Sequence, residues 1–198
     1  MTRPDISDKL IHFTGPRDDW GKAYSRLRSI ITERLIRGGN RMVRSGDRCV
    51  CFTEAPLLSL PDGLVNPSNY SRYSPFGIIV EKSWLFERGG RPVIYQSDLE
   101  YAALPEQLRW RHVRYEPTGT TPIDFTWERE WRIRCEQLVI RPNEAGIVVP
   151  SHDWANALVR DHEQEQDYQV EMYSIVLDEF LAEKYREDFP WRVYVFGN

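Results

Sequence analysis

Two glutamates stand two positions apart in the run Thr126-Trp127-Glu128-Arg129-Glu130-Trp131-Arg132-Ile133, and their type and spacing suit chemistry better than any other pair in this chain. Side chains alternate faces along an extended strand, so Glu128 and Glu130 are expected to project together. Adjacent carboxylates repel, which raises the pKa of one of them. One acid of such a pair can act as a base while the other stabilises positive charge that develops on a substrate. A surface strand whose Glu and Arg residues pair across its exposed face would carry the same letters, and perturbed carboxylates mark function only statistically.

Two further segments carry polar groups on strand-like patterns. In His12-Phe13-Thr14, the residues His12 and Thr14 share one face and Phe13 takes the other. A histidine there can donate a directional hydrogen bond to a ribose or phosphate, although a lone histidine is also a common structural residue. The run Cys51-Phe52-Thr53-Glu54-Ala55-Pro56 ends a strand in polar residues and a turn, where Glu54 would equally serve as an exposed loop charge.

The elements that position these residues follow from periodicity and punctuation. Strands are predicted at 10–14, 48–53, 76–80, 92–95, 127–134, 146–150 and 193–196. Leu27, Ile30, Ile31 and Leu35 recur at helical spacing and predict a helix over 24–37, stopped by Gly38-Gly39-Asn40. Helical character is expected over 99–111, interrupted by Pro105. Further helices are expected from Ser151 or Asp153 to about 163 and over 177–185. Residues 59–75 have loop composition and carry Tyr70 and Tyr73. Short strands with interspersed helices predict an α+β fold, a single domain over 1–198.

Composition narrows the setting. Hydrophobic residues make up 41% and charged residues 28%, with 7 Trp, 10 Tyr and 8 Phe. These are values of an ordinary globular chain, enriched in aromatics. The net charge of −4 provides no global basic field to recruit nucleic acid. Cys49, Cys51 and Cys135 are odd in number, which argues against a disulfide scaffold. Cys49 and Cys51, with four scattered histidines, make a poor zinc set, so no metal is expected. Residues 1–5 lack an apolar signal-peptide core, and no run is long and apolar enough to span a bilayer. A cytoplasmic setting without membrane contact is the expectation.

Taken together, the three segments resemble the ADP-ribosyltransferase superfamily. His12-Phe13-Thr14 followed by a helix that ends near a glycine turn is similar to the opening of DarT-type enzymes and related phage-defence families. Cys51 to Pro56 resembles their second core strand, and Glu128-Arg129-Glu130-Trp131-Arg132 resembles the late strand that carries the transferase glutamate. The resemblance covers roughly residues 10 to 135. It implies split antiparallel β-sheets with flanking helices, clasping NAD, and transfer of ADP-ribose to a protein or nucleic-acid acceptor by a toxin or phage-defence effector, with an antitoxin as a partner.

By the same resemblance, His12 would bind a ribose hydroxyl of NAD. The backbone near Phe13 and Thr14 would hold the nicotinamide amide, and Thr53 would join the NAD-binding set. Glu130 would position the nicotinamide ribose and support its oxocarbenium-like transition state, while Glu128 would orient or deprotonate the acceptor. Tyr70 or Tyr73 would stack on nicotinamide, and Trp127 or Trp131 would supply a low-dielectric wall. DarT-type enzymes place an arginine just after the Ala-Pro of the second strand, where this chain has Leu57. The pyrophosphate cation then falls to Arg48, Arg72, Arg91 or Arg132, and the acceptor stays open. Two other readings remain. A metal-dependent nuclease would use Asp47, Glu54 and Glu81-Lys82, and a non-enzymatic binding or immunity module would keep the fold without the chemistry.

Overall fold

The computed structural model describes residues 6–15, 18–54, 74–118 and 120–196. Tyr70, Tyr73, Arg72, Leu57 and the Ala55-Pro56 turn lie outside the described residues. Seven strands form the main sheet: β1 (Lys9–Phe13), β3 (Cys49–Thr53), β4 (Gly77–Glu81), β5 (Arg91–Pro92), β8 (Glu130–Arg134), β10 (Ala145–Val149) and β11 (Arg192–Val195). Their spatial order is β11-β10-β4-β1-β3-β8-β5, antiparallel throughout except for the parallel β10–β11 pair. Two small sheets accompany it: β2 (Leu35–Arg37) with β9 (Gln137–Val139), and β6 (Ile94–Gln96) with β7 (His112–Arg114). Helices α1 (Trp20–Glu33), α2 (Lys82–Glu87), α3 (Asp98–Tyr101), α4 (His152–Ser174) and α5 (Glu179–Glu183) complete an α+β architecture. Among the described residues no helix is long and apolar enough to cross a membrane.

The seven-stranded sheet is two half-sheets joined at one point. β1 and β4 pair over five registers, as do β3 and β8, but β1 meets β3 only through Ile11 and Thr53. Past that point the ladder gives way to a side chain: His12 Nδ1 lies 2.8 Å from the Cys51 carbonyl oxygen. A carbonyl can only accept, so Nδ1 carries the proton, and the ring satisfies a strand-edge group that would otherwise lack a partner.

The main core lies between one face of this sheet and helices α1 and α4. Leu10, Ile78 and Val80 contribute from one half-sheet, Val50, Phe52, Trp131 and Ile133 from the other, with Ala23, Leu27 and Leu158 from the helices. A smaller cluster of Ile11, Ile79 and Val148, flanked by Phe13 and Phe196, covers the opposite face of the first half-sheet. Gly15, at φ 76°, turns the chain from β1 toward α1, and a Cβ there would fall 2.5 Å from Ala23 Cα.

The helical stretch expected over 99–111 is divided at Pro105 into α3 and a 3₁₀ turn over Glu106–Arg111, and two other predicted elements change type at one end. The helix expected over 24–37 stops at Glu33. Arg34 adopts the left-handed conformation at φ 52°, and Leu35–Arg37 pair instead with β9, so strand partnership overrides helical spacing. The strand expected over 127–134 begins only at Glu130. Thr126–Glu128 form a 3₁₀ turn, and Arg129 sits at φ 44°, ψ 50°. Asp124 starts that turn by accepting from the Thr126 N–H at 2.8 Å and its hydroxyl at 2.6 Å. Arg129 completes it by donating its N–H to the Thr126 carbonyl. Alternation along a strand is therefore not what relates Glu128 to Glu130.

Candidate functional site

Glu128 and Glu130 nevertheless face one cavity of about 700 Å³, within the range of small-molecule sites. One wall is the polar face of the second half-sheet. Cross-strand pairing sets Thr53 opposite Glu130 and Cys51 opposite Arg132, so all four point away from the main core. The 3₁₀ turn brings in Glu128 and Phe125, and β7 supplies His112, Val113 and Arg114. The chain before β3 contributes Arg41, Met42, Val43 and Arg44, and α3 contributes Asp98. The turn is fastened to β3 where the Thr53 hydroxyl donates to the Glu128 carbonyl and the Glu54 N–H donates to the Arg129 carbonyl. Thr53 thus positions Glu128 through its backbone.

Glu130 is bound on both oxygens by one side chain. Arg132 Nε donates to Oε1 at 2.7 Å and Nη2 donates to Oε2 at 3.2 Å. The remaining terminal nitrogen, Nη1, donates to the carbonyls of Trp110 and His112, each at 3.0 Å. Arg132 is 3% exposed, so this fork operates away from water. Burial pushes the Arg132 pKa down, but the adjacent Glu130 carboxylate outweighs it and holds the guanidinium above its ordinary value. The repulsion expected between the two acids is therefore relieved by a cation placed on the Glu130 side.

Tyr95 completes the support. Its Oη accepts from the Glu130 N–H at 3.0 Å. Its pKa is pushed up to about 12, first by burial and then by the negative charges of Glu130 and Glu128. Cys51, on the same strand face, has its thiol pKa raised by burial and then by Glu130, so its thiolate is disfavoured. At the outer rim, Arg44 and Arg114 both pair with Asp98, Arg114 also holds Glu116, and Arg44 lies 4.2 Å over the Tyr101 ring. Arg41 is exposed and has no ion pair among the described residues. The cavity thus carries Glu128 and the Glu130–Arg132 pair at its strand wall, and three exposed arginines, two of them paired with carboxylates, at its edge.

The β1 candidates lie apart from this cavity. Ile11 shares a face with Thr53 and Glu130, so the register puts His12 on the other face, where its ring packs 5.7 Å from Phe52. Burial lowers the His12 pKa against the opposing effect of the Cys51 carbonyl, leaving a neutral ring. Its Nε2 has no hydrogen-bond partner among the described residues. Phe13 stacks on Phe196 with centroids 6.2 Å apart. Thr14 is fully engaged: its N–H donates to the Phe76 carbonyl, its hydroxyl donates to the carbonyls of Ala23 and Phe76, and its own carbonyl accepts from Ser74.

Trp131 also faces the core, its Nε1 donating to Glu54, and so does not wall the cavity. Of the arginines proposed for a pyrophosphate, Arg132 is committed to Glu130, Arg91 lies over Phe86, and Arg48 pairs with Glu136. The arginines that line the cavity are Arg132 itself and Arg41, Arg44 and Arg114, of which Arg44 and Arg114 are paired with Asp98. The acids of the nuclease reading are dispersed: Asp47 faces Arg134, Glu54 is held by Lys82, and Glu81 by Lys9. Among the described residues no group of three His, Cys, Asp or Glu is placed to hold a metal ion.

Tyr95, His112 and Arg114 escaped sequence reasoning because they reach the site through the parallel β6–β7 pair, two short segments with no alternation of their own. Arg41 and Arg44 lie between elements, where no periodicity points. No protein-family model, no curated protein sequence and no solved structure matches this chain.

Proposed function

We propose that this chain is an NAD-dependent ADP-ribosyltransferase that passes ADP-ribose to a protein or nucleic-acid acceptor, as a toxin or phage-defence effector, with NAD as substrate. The observation that carries this reading is the convergence of Glu128 and Glu130 on one cavity that Arg41, Arg44 and Arg114 also line. The narrow junction at Ile11 and Thr53 adds support, because a sheet divided into two halves is what the resemblance implies.

Cleavage of the nicotinamide–ribose bond leaves positive charge on the sugar, and a fixed carboxylate stabilises that charge as it forms. Each oxygen of Glu130 accepts from Arg132, and the Cys51 thiol donates to the same carboxylate, which leaves it one acceptor site for a ribose hydroxyl. Arg132 holds the carboxylate in one orientation, so little reorganisation is needed at the moment of reaction. Glu128 is the group to accept the acceptor's proton as the new glycosidic bond forms. Arg41, which has no ion pair among the described residues, is the cation for the pyrophosphate, with Arg44 and Arg114 beside it once they exchange Asp98 and Glu116 for phosphate oxygens. His12 has no part in this reading, because the register turns its ring to the core face, away from the cavity that Glu128 and Glu130 line.

The test is nicotinamide release from NAD in the presence of a cell lysate, with acceptor labelling followed by mass spectrometry. Glu130→Gln keeps the shape and is expected to lower release by about 10²–10³. A wild-type protein that releases no nicotinamide, or a Glu130→Gln variant as fast as wild type, would remove this reading. A binding module is the second reading, favoured by the bidentate occupation of Glu130 by Arg132. It is distinguished by NAD binding in calorimetry without turnover.

A further inference from the structure

Helix α4 is longer than the core beneath it. Its 23 residues extend about 35 Å. Trp154, Ala155 and Leu158, near its start, pack on the main core. Met172 and Tyr173, fourteen and fifteen residues on from Leu158, return to the same side at 3.6 residues per turn, yet are 46% and 42% exposed. Eight of the fourteen large apolar or aromatic side chains left exposed among the described residues fall within 168–185, with Val176 at 78% and Phe180 at 72%. The other six are scattered singly, so this run of eight along α4, α5 and the turn between them marks a contact surface.

The patch is concave at one edge. The rings of Tyr173 and Tyr185 stand 5.1 Å apart and line a cavity of about 330 Å³ between α1, α4 and the chain leading to β11. Asp161, Glu165 and Glu187 stand along the same cavity. The charge of the whole segment is one-sided: residues 161–188 hold ten acidic residues and two basic ones, in a chain whose net charge is only −4. The nearby bases are largely spent, since Arg28 pairs with Asp161, and Arg186 pairs with Asp167 and Glu183. Arg34 stands at the α1 end of the cavity.

From these observations we infer that the α4–α5 face docks a partner protein through a cationic amphipathic helix, its apolar side on Met172, Val176 and Phe180 and its basic side on the surrounding carboxylates. An amphipathic helix recognises such a surface by laying its apolar face on the exposed apolar side chains, with Tyr173 and Tyr185 at the edge of the neighbouring cavity, and its charges on the surrounding carboxylates. A second copy of the chain is the poorer occupant, because a two-fold contact would bring two strongly acidic segments together. The inference stands apart from the proposed NAD chemistry.

The probe is a synthetic amphipathic helix of leucine and lysine, with a leucine–glutamate helix of the same apolar pattern as control, read by fluorescence anisotropy at low and high salt. The lysine peptide is expected to bind, more weakly as salt rises, and the glutamate peptide not to bind. A triple variant, Met172→Ser, Val176→Ser and Phe180→Ser, alters only exposed positions. It is expected to weaken binding at least about tenfold while keeping the wild-type circular dichroism spectrum. Leu99→Ser, at an exposed apolar position elsewhere, should leave binding unchanged. Equal binding of both peptides, no binding of the lysine peptide, or unchanged binding by the triple variant overturns the inference. So does a dimer in sedimentation that the triple variant dissolves, which would assign the face to a second copy.

Discussion

The two half-sheets differ in what their second face carries. In the half built from β1, β4, β10 and β11, both faces of the inner strands are apolar, and β10 is buried along its whole length. In the half built from β3, β8 and β5, one face is core and the other bears Cys51, Thr53, Glu130 and Arg132. The first half gains only from packing. The second retains ionic groups away from water, which costs desolvation and is tolerated because each carboxylate and guanidinium there is satisfied by a partner. The proposed chemistry therefore belongs to the second half, with the first as its support.

The contrast can be broken most directly at Arg132. Arg132→Met removes a buried cation and strands Glu130, with an expected loss of about 3–5 kcal/mol in chemical denaturation. The double variant Glu130→Gln with Arg132→Met should recover part of that loss. A neutral Arg132→Met would show that the polar face is not held by the pair. The matching test on the apolar half is Ile147→Ala at a fully buried site, expected to cost about 2–5 kcal/mol. It should leave the ratio of nicotinamide release to folded protein unchanged.

Smaller effects sharpen the comparison. Asp124→Ala frees the turn that carries Glu128, with an expected loss of about 0.5–1 kcal/mol by analogy with helix caps. It should lower acceptor transfer more than stability, measured as transfer rate against melting temperature. The smallest effect is at the seam. His12 has a pKa below its ordinary 6.5 because of burial, so below pH 6.5 the unfolded chain takes up a proton that the folded chain refuses. The resulting stability is full above pH 6.5 and is lost as pH falls through the folded-state pKa. A drop in Tm of about 2–4 °C for each kcal/mol lost is expected in mild acid, and His12→Gln, which still donates to the Cys51 carbonyl, should flatten it.

Much of the framework was legible because apolar runs bounded by turns are strands whatever they pack against. Residues 49–53, 77–81 and 145–149 fall within a residue of their predicted bounds. The misreadings occurred where a neighbour decided the backbone. Leu35–Arg37 continue the apolar spacing of α1, yet β9 offers them a ladder. Trp127 and Glu128 carry strand-like letters, yet the side chain of Asp124 and the hydroxyl of Thr53 fold them into a turn. Helix α4 runs well past the expected residue 163, because no glycine or proline stops it before Ser174.

By itself, the sequence determined the α+β class, the strands of the core and the candidacy of Glu128 and Glu130, since these depend on side-chain type and local period. The tertiary structure alone decided that the two acids meet by a turn rather than by alternation along one strand. It also decided that Arg132 binds Glu130, that His12 lies on the far face across the seam, and that Arg41, Arg44 and Arg114 line the cavity of the two acids. Those relations depend on cross-strand register and on contacts between residues tens of positions apart. A single chain's local pattern carries no record of which strand will lie beside which.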